Sequence, residues 1–341
     1  MKRFVAFLFM IAWVHLPAPA AANLYQSSAC VLFDGKAVNA AALPETVAKP
    51  VRETAAKLEG WSAKNRMLIH VAAGDPLLLV LPSNFAATGQ LLTKLRQTRD
   101  DFKKRFFDTT ADAAFELIYV EKKEAFASYV DLLVERESYL KNWSASVKET
   151  AGFWLHQPLA SAYFRDPKDP AEKKAEFNLN NQLIHQYAHL LVNATMGRQP
   201  YWVQESIAWS LEQAREGLIY AFCHRSGFVF KKEHAGWPKL GKTYLTSGKT
   251  IPVEKIFPME RDADIPRELG AASMILTEYL VSKRKDEWLK FTSQLKADLE
   301  AKISEPGYKI PLDKQKELFI NSFGKDAATA LVAKIRELPI K

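Results

Sequence analysis

The sequence predicts an α+β protein, in which an N-terminal α/β layer around a small sheet is followed by a mainly helical lobe. Three observations support this class. Short apolar runs bounded by glycine and proline turns occur in the first half of the chain, which is typical of strands. Apolar residues at helical spacing lie between those runs, and the last third returns to helical spacing. We therefore place the α/β layer at residues 61–176 and the helical lobe at residues 177–341.

The N-terminal layer is predicted to alternate between strands and helices. Gly74, Asp75 and Pro76 separate two apolar runs, which indicates two short strands joined by a turn. The segments that follow have helical spacing, then a strand-like run, then helical spacing again. In chain order, the predicted strands are 66–71, 77–81, 115–121, 152–156 and 160–165, and the predicted helices are 85–107 and 122–140.

The helical lobe is predicted to begin with the helix that contains His185. Asn178 or Asn180 is a suitable N-cap, because an asparagine side chain accepts hydrogen bonds from the free amides of a first helical turn. Gly197 suits the C-terminal end of this helix, and Pro200 suits the first turn of the next one. Further helices are predicted at 267–283, 287–299, 312–323 and 326–338.

The first 22 residues have the order of a secretory signal peptide. Lys2 and Arg3 precede an apolar run, and small residues follow it up to Ala22, which predicts cleavage after Ala22. The apolar run, at about thirteen residues, is too short to span a bilayer comfortably. We therefore expect a periplasmic or secreted protein, with residues 1–22 as signal peptide and residues 23–60 as an alanine-rich lead-in segment.

The composition is that of an ordinary globular protein. Of the 341 residues, 48% are hydrophobic and 25% are charged, and the basic residues behind the net charge of +8 are scattered. Without a basic stripe, nucleic acid is not an expected partner. No later segment approaches the ~18 apolar residues of a membrane span, so no stable span is expected after cleavage. The sequence leaves open whether Cys30 and Cys223 form a disulfide.

Two histidines and a glutamate form the candidate metal site. His185 and His189 are four residues apart, so in a helix both imidazoles leave the same face. Glu205 lies on the next predicted helix between Trp202 and Trp209, where a buried carboxylate needs a cation. Such a set can bind Zn²⁺ and leave one coordination position open. The alternative is a pair of histidines that share a half-buried face and hydrogen-bond to the backbone.

The stretch around these residues resembles the gluzincin zinc metallopeptidases, in particular the peptidase MA-like family. That family has HExxH, a Gly/Pro turn and then W-x-x-E-(G/S)-x-A, and this sequence reads HQYAH, MGRQPYW and VQESIAW. The resemblance implies that His185, His189 and Glu205 are zinc ligands in a cleft between the two layers, and that the partner is a peptide or protein. It also implies that residues 160–165 form the edge strand that pairs with extended substrate.

Gln186 is the departure from the family pattern. It occupies the position of the glutamate that takes a proton from the zinc-bound water. A glutamine amide can hydrogen-bond that water but cannot accept the proton, and general-base catalysis contributes about 10²–10⁴-fold in rate. We therefore expect an exported zinc-binding pseudopeptidase with lost or strongly reduced hydrolysis.

Several alternatives stay open at this point. An active or specialised zinc peptidase could use another carboxylate as its base, although the sequence identifies none. A non-catalytic relative could keep the zinc and the cleft to bind a peptide or an envelope partner. Gln186 could be an introduced change that traps substrate, or the protein could be a folded exported domain without a metal site. The sequence also leaves the oligomeric state open.

Overall fold

The computed structural model describes residues 30–85, 87–106, 113–166, 178–220, 236–260, 265–302 and 308–338. These residues form a mixed α+β fold, which confirms the predicted class. The expected signal peptide and Cys223 lie outside the described residues, so the cleavage site and the pairing with Cys30 remain predictions. Cys30 itself is buried, and its thiol donates to the backbone carbonyl of Glu59.

Seven strands of the described residues form one mixed sheet. They are β1 (Val31–Phe33), β2 (Lys36–Val38), β3 (Met67–Val71), β4 (Leu77–Pro82), β5 (Phe115–Val120), β6 (Gly152–Trp154) and β7 (Ala160–Phe164). Their order across the sheet is β2-β1-β3-β4-β5-β7-β6. The pairs β1–β3, β4–β5 and β5–β7 are parallel, and the pairs β1–β2, β3–β4 and β6–β7 are antiparallel.

Helices cover both faces of the sheet and build the lobe. They are α1 (Lys49–Asn65), α2 (Thr88–Arg105), α3 (Lys123–Arg136), α4 (Lys141–Val147), α5 (Leu179–Met196), α6 (Tyr201–Glu216), α7 (Trp237–Thr246), α8 (Val253–Ile256), α9 (Arg267–Lys283), α10 (Lys285–Ala301), α11 (Leu312–Phe323) and α12 (Ala327–Arg336). Among the described residues, none of these helices combines the length and the apolar character needed to cross a bilayer.

Strand alternation sends side chains to two cores, one on each face of the sheet. On one face, Ile118 and Val120 of β5 pack with residues of α1 and α3. On the other face, Leu117 and Tyr119 pack with residues of α2, α5 and the helices of the lobe. The second core therefore continues from the sheet into the helical lobe, and the candidate site lies within it.

The lobe braces helix α6 from behind. Helix α6 packs against α9, and α9 packs against α7. The contact between α7 and α9 is close at Gly241, where an added Cβ would lie 2.2 Å from the carbonyl oxygen of Ala271. A residue without a side chain is therefore required at this crossing.

The largest difference from the sequence-based expectation lies in residues 23–60. We expected a lead-in segment, but from residue 31 onwards this region contributes β1, β2 and most of α1. Val31 is buried and aligned with Ile69 of β3, and Val51 and Leu58 of α1 are buried in the core. The segment is therefore part of the N-terminal layer, and the layer begins well before residue 61.

Two smaller differences concern the second half of the layer. The helix expected over 122–140 ends at Arg136, and the separate helix α4 follows it. The expectation that residues 160–165 form the edge strand is wrong, because β7 pairs with β5 on one side and with β6 on the other. In the described part of the sheet, β6 is the outermost strand at this end.

Candidate metal centre

Helices α5 and α6 form an antiparallel hairpin that carries the candidate ligands. The Asn178 side chain caps α5, accepting hydrogen bonds from the amides of Asn180 at 3.0 Å and Asn181 at 3.3 Å. Of the two caps that the sequence suggested, Asn178 is therefore the one used. Gly197 ends α5 at a φ of +67°, a conformation that favours glycine, and Pro200 directly precedes α6.

The hairpin brings His185, His189 and Glu205 together. The Nε2 atom of His185 lies 3.2 Å from Oε2 of Glu205, and Nε2 of His189 lies 3.3 Å from Oε1 of the same carboxylate. All three side chains have 0% exposure. One potential ligand atom from each residue lies within 4.8 Å of the others, so the three groups predicted from the sequence form one cluster.

These short distances do not represent aligned hydrogen bonds. Nε2 of His189 and both carboxylate oxygens of Glu205 are buried, and none of them has a hydrogen-bond partner of acceptable geometry among the described residues. These atoms lie close together but are not aligned for hydrogen bonds with one another, which is the arrangement expected of ligand atoms around a common ion. Leaving such buried polar atoms unsatisfied costs about 1–3 kcal/mol each, so a bound cation would remove a large penalty.

The charges of the cluster also favour a cation. Burial would raise the pKa of Glu205, but the neighbouring His189 and His185 outweigh it and hold that pKa well below its usual range. Burial lowers the pKa of the His189 imidazole, although Glu205 opposes this effect. The carboxyl group of Glu205 therefore favours its charged form in this site. A buried negative charge in that position requires a positive partner.

Glu212 fixes the orientation of His185 from the opposite side of the ring. Its Oε2 lies 3.3 Å from Nδ1 of His185, whereas Glu205 faces Nε2 of the same imidazole. Glu212 is fully buried, and it also accepts hydrogen bonds from the Asn181 amide at 2.9 Å and from the backbone amide of Tyr220. An Nδ1–H that donates to Glu212 leaves the Nε2 lone pair free for a metal, as in many carboxylate–histidine–zinc sites.

Glu212 was not predicted from the sequence, although a signal existed. Glu205 and Glu212 are seven residues apart, which places both on the same face of α6 two turns apart. Two carboxylates on one buried face are uncommon unless each has a partner. Glu212 serves as partner to one histidine, and Glu205 faces both.

Aromatic rings enclose the two histidines. Trp154 of β6 stacks on His189, with ring centroids 4.8 Å apart and an angle of 24° between the planes. Trp209 lies 6.5 Å from His185 between ring centroids. Trp202 instead stacks on Phe257 at 5.0 Å, so only one of the two tryptophans expected beside Glu205 borders the histidines.

Gln186 contacts the sheet through Ser161 of β7. Its Oε1 accepts a hydrogen bond from Oγ of Ser161, at 2.8 Å, and its side chain is buried. Ser161 lies opposite Trp154 in the β6–β7 register, so both side chains project from the sheet towards α5. Strand register alone brings Ser161 to Gln186, and no sequence signal pointed to it.

The donor types suit a zinc ion. Two atoms bound to one tetrahedral zinc at about 2.0–2.1 Å lie roughly 3.3–3.4 Å apart. The two N···O distances, 3.2 and 3.3 Å, are close to that separation, but they involve different oxygens of Glu205. With one atom taken from each residue the set spans up to 4.8 Å, so the side chains would have to move closer together to share one ion.

The other two histidines among the described residues, His70 and His156, fall outside the cluster. His70 is buried in β3, and burial lowers its pKa to about 4. His156 is half-buried, and burial together with the charge of Arg198 lowers its pKa. His224 and His234 lie outside the described residues.

Comparison with known proteins adds no assignment, since neither the models of known protein families nor the curated proteins match this sequence.

Proposed function

We propose that this protein is an exported, gluzincin-like zinc-binding protein that has lost most or all peptide hydrolysis and binds an extended peptide or protein segment beside its metal centre. One observation carries the proposal. Two helical histidines and a glutamate converge in full burial, and several of their donor atoms have no aligned hydrogen bond among the described residues. Export is inferred from the N-terminal sequence alone.

Zinc is the metal that best suits these donors. Magnesium and calcium ions prefer sites made almost wholly of oxygen atoms, and this cluster offers two imidazoles and a single carboxylate. Zinc sites with two histidines and one glutamate are an established type of catalytic site, in which a further position stays open. When bound there, zinc would act as a Lewis acid on water or on a carbonyl group.

The loss of hydrolysis follows from the residues around the ligands. Gln186 carries an amide that cannot take up a proton, and its oxygen accepts from Ser161. Glu212 cannot replace it, because Glu212 contacts Nδ1 of His185, on the edge of the ring away from Glu205. Neither side chain can therefore serve as general base. The remaining carboxylate, Glu205, is itself one of the three candidate ligands.

Strand β6 supports the binding of an extended segment. It is the outermost described strand next to the metal centre, and Leu155 donates from its backbone to Ala160 of the neighbouring chain segment. Because successive residues alternate, the backbone of Trp154 points away from β7. A peptide that adds to this edge by β-strand pairing would pass beside the tryptophan that stacks on His189.

Metal analysis tests the first half of the proposal. Untagged protein equilibrated with zinc and then desalted should retain about one zinc ion per chain, and His185→Ala and Glu205→Ala should lose it. His156→Ala is the matched control, because it removes a histidine outside the cluster, and it should retain the metal. A folded wild-type sample that holds no zinc would refute the metal site.

Restoring the base tests the second half. Gln186→Glu should introduce peptide cleavage that the wild-type protein lacks, with an increase on the order of 10²–10⁴-fold over any residual rate. The cleavage would be measured by mass spectrometry on a mixed peptide library. Addition of His185→Ala to the same chain should abolish it. Robust cleavage by the wild-type protein would contradict the loss of hydrolysis.

A further inference from the structure

A cavity of about 500 Å³ lies next to the candidate metal centre, between the hairpin turn and the helical lobe. Trp154 lines this cavity and also stacks on His189. Tyr201 lines it as well, and Tyr201 lies one helical turn before Glu205 on the same face of α6. The cavity is therefore connected to the metal centre through two side chains. Its volume lies within the range of about 300–1,000 Å³ typical of small-ligand pockets.

Part of the cavity wall is apolar. Phe257, Met259, Leu299 and Ile310 line it and are buried in the lobe core. Gln315 holds part of the wall in place, because it accepts from the Trp202 indole at 3.0 Å and donates to the carbonyl of Ile310 at 2.9 Å. The cavity is therefore a preformed site with an apolar wall and room for a side chain.

One cation in this lining has no ion pair among the described residues. The charged side chains that line the cavity are Arg198, Glu260 and Lys309, and Glu260 pairs with Lys309. For the half-buried Arg198, no hydrogen bond or ion pair with a carboxylate is found among the described residues. Burial and the positive charge of Arg198 both lower the pKa of His156, which favours the neutral imidazole. His156 therefore supplies no opposite charge for Arg198.

The residues on both sides of Arg198 are held in place by packing and by hydrogen bonds. Gly197 packs against α10, where an added Cβ would lie 2.8 Å from Cε of Lys296. Gln199 is buried and donates to the carbonyl groups of Met196 at 2.9 Å and Thr292 at 3.1 Å. Because its two neighbours are anchored to α5 and α10, the backbone of Arg198 has a fixed position at the mouth of the cavity.

We propose that this cavity binds the C-terminal residue of a peptide, with the free carboxylate on Arg198 and a large apolar side chain against Phe257, Met259 and Ile310. An arginine binds a carboxylate through two parallel hydrogen bonds, and the apolar walls gain from burying the side chain of the same residue. An internal aspartate or glutamate would satisfy Arg198 but would leave the apolar walls without a matching group. The inference rests on the proposed function in taking a peptide as the ligand.

Binding of short peptides to the full-length mature protein tests the inference. The probes are N-acetyl-Ala-Ala-Phe as the free acid, the same peptide as the C-terminal amide, and N-acetyl-Ala-Asp-Phe-amide. Calorimetric titration should show the free acid binding roughly ten- to a hundred-fold more tightly than either amide. In Arg198→Gln this preference should disappear, whereas Arg198→Lys should keep part of it because the charge remains.

Lys309→Gln is the matched control, since it removes one positive charge from the same cavity. It should change the affinity for the free acid by less than about two-fold, because Lys309 is exposed and pairs with Glu260. Thermal unfolding of Arg198→Gln should match wild type and so show that the fold is intact. Equal binding of acid and amide, no binding of either, or tightest binding of the aspartate peptide would each overturn the inference.

The same titrations separate this inference from the metal site. The cavity contains none of the three candidate ligands, so the preference for the free acid should persist in chelator-treated protein. If the protein binds no zinc and the preference remains, the proposed zinc site fails and the cavity assignment stands. If the protein binds zinc and shows no preference, only the cavity assignment fails.

Discussion

At the level of single residues, two buried carboxylates in this protein differ in their hydrogen-bond partners. Glu116 is buried, and Arg136 donates to both of its oxygens at 2.6 and 2.9 Å while Tyr129 donates at 2.8 Å. Glu205 is more deeply buried and faces only two imidazoles, with no aligned hydrogen bond among the described residues. The chain thus neutralises one carboxylate with its own arginine, whereas the other is the carboxylate for which we propose a bound cation.

The role assigned to Glu212 can be tested by one substitution. Glu212→Gln should lower the affinity for zinc by roughly 10–100-fold, because a neutral glutamine oxygen accepts less strongly than a carboxylate from Nδ1–H of His185. The NH₂ group of the glutamine would also lie beside the N–H donors of Asn181 and Tyr220. Competition with a chelating dye measures this affinity. Glu216→Gln is the matched control on the same helix, because Glu216 pairs with Lys94 away from the site. Equal affinities in the two variants would show that Glu212 does not position the ligand.

The buried His70 should make the protein sensitive to acid. Its pKa falls from 6.5 to about 4 on folding, so the unfolded chain takes up a proton that the folded chain refuses. Stability should therefore be complete above pH 6.5 and should decrease as the pH falls towards 4, by about 3 kcal/mol in total from this residue. Urea unfolding at pH 7 and pH 5 measures the change.

His70→Gln isolates this contribution, since glutamine carries no charge at either pH. The variant should lose about 2 kcal/mol less than wild type between pH 7 and pH 5, because 1.5 pH units below the unfolded value correspond to that energy. The same loss in both proteins would mean that other groups cause the acid sensitivity.

At this scale, the sequence predicted that the three candidate ligands lie together but did not predict their surroundings. His185, His189 and Glu205 are recognisable because their spacing is local and helical, so the sequence alone places them on facing surfaces. Ser161 and Trp154 reach the site through the antiparallel register of β6 and β7. Register depends on long-range pairing, which leaves no periodic trace near either residue.

At the level of elements, most of the helices and strands after residue 65 were predictable, but β1, β2 and α1 were not. The predicted helices at 267–283 and 312–323 match α9 and α11 in both bounds, because each carries several turns of helical spacing. Strands β1 and β2 have three residues each, too few for an alternating pattern to stand out. Pro50 suggested an irregular segment, but it occupies the first turn of α1, where proline is favoured.

The close crossing of α7 and α9 can be tested with two glycine substitutions. Gly241→Ala should destabilise the protein by about 1–3 kcal/mol, because the new methyl group overlaps the backbone of Ala271 and the helices must separate. Gly60→Ala is the control, since Gly60 lies in the exposed part of α1 with no atom within 4 Å of a new Cβ. It should stabilise the protein by about 0.5–1 kcal/mol through helix propensity. Chemical unfolding of both variants gives the comparison.

Similar stabilities for the two alanine variants would show that α7 and α9 do not cross as closely as described. Because α9 also packs on α6, loosening at Gly241 should further weaken zinc binding, whereas Gly60→Ala should leave it unchanged. Such a result would mean that the packing of α7 on α9 supports the position of Glu205 on α6.

At the level of the whole molecule, zinc should couple to stability, because all three candidate ligands belong to the core that joins sheet and lobe. With free zinc at about 100–1,000 times its dissociation constant, binding should add roughly 3–4 kcal/mol. For a chain of this size that corresponds to a rise in Tm on the order of 5 °C. Differential scanning calorimetry with and without chelator measures it.

The chelator effect should vanish in His189→Ala and persist in Gln186→Ala, because only the first variant removes a ligand. A chelator shift that survives in His189→Ala would place the responsible metal elsewhere. The size of this stabilisation could not be predicted from the sequence. It depends on how deeply the candidate ligands are buried, and only the three-dimensional packing determines that.

The hairpin has a consequence for the order of events during folding. The candidate ligands lie within residues 185–205, so the loop that must close to bring them together is short and costs little entropy. Their enclosure instead requires distant partners, such as Trp154 from β6 and the lobe helices behind α6. Contacts of that kind form late. An ion bound at the proposed site would then be captured by the nascent hairpin and enclosed later, so that the metal in the mature protein would reflect the metal available at the time of folding.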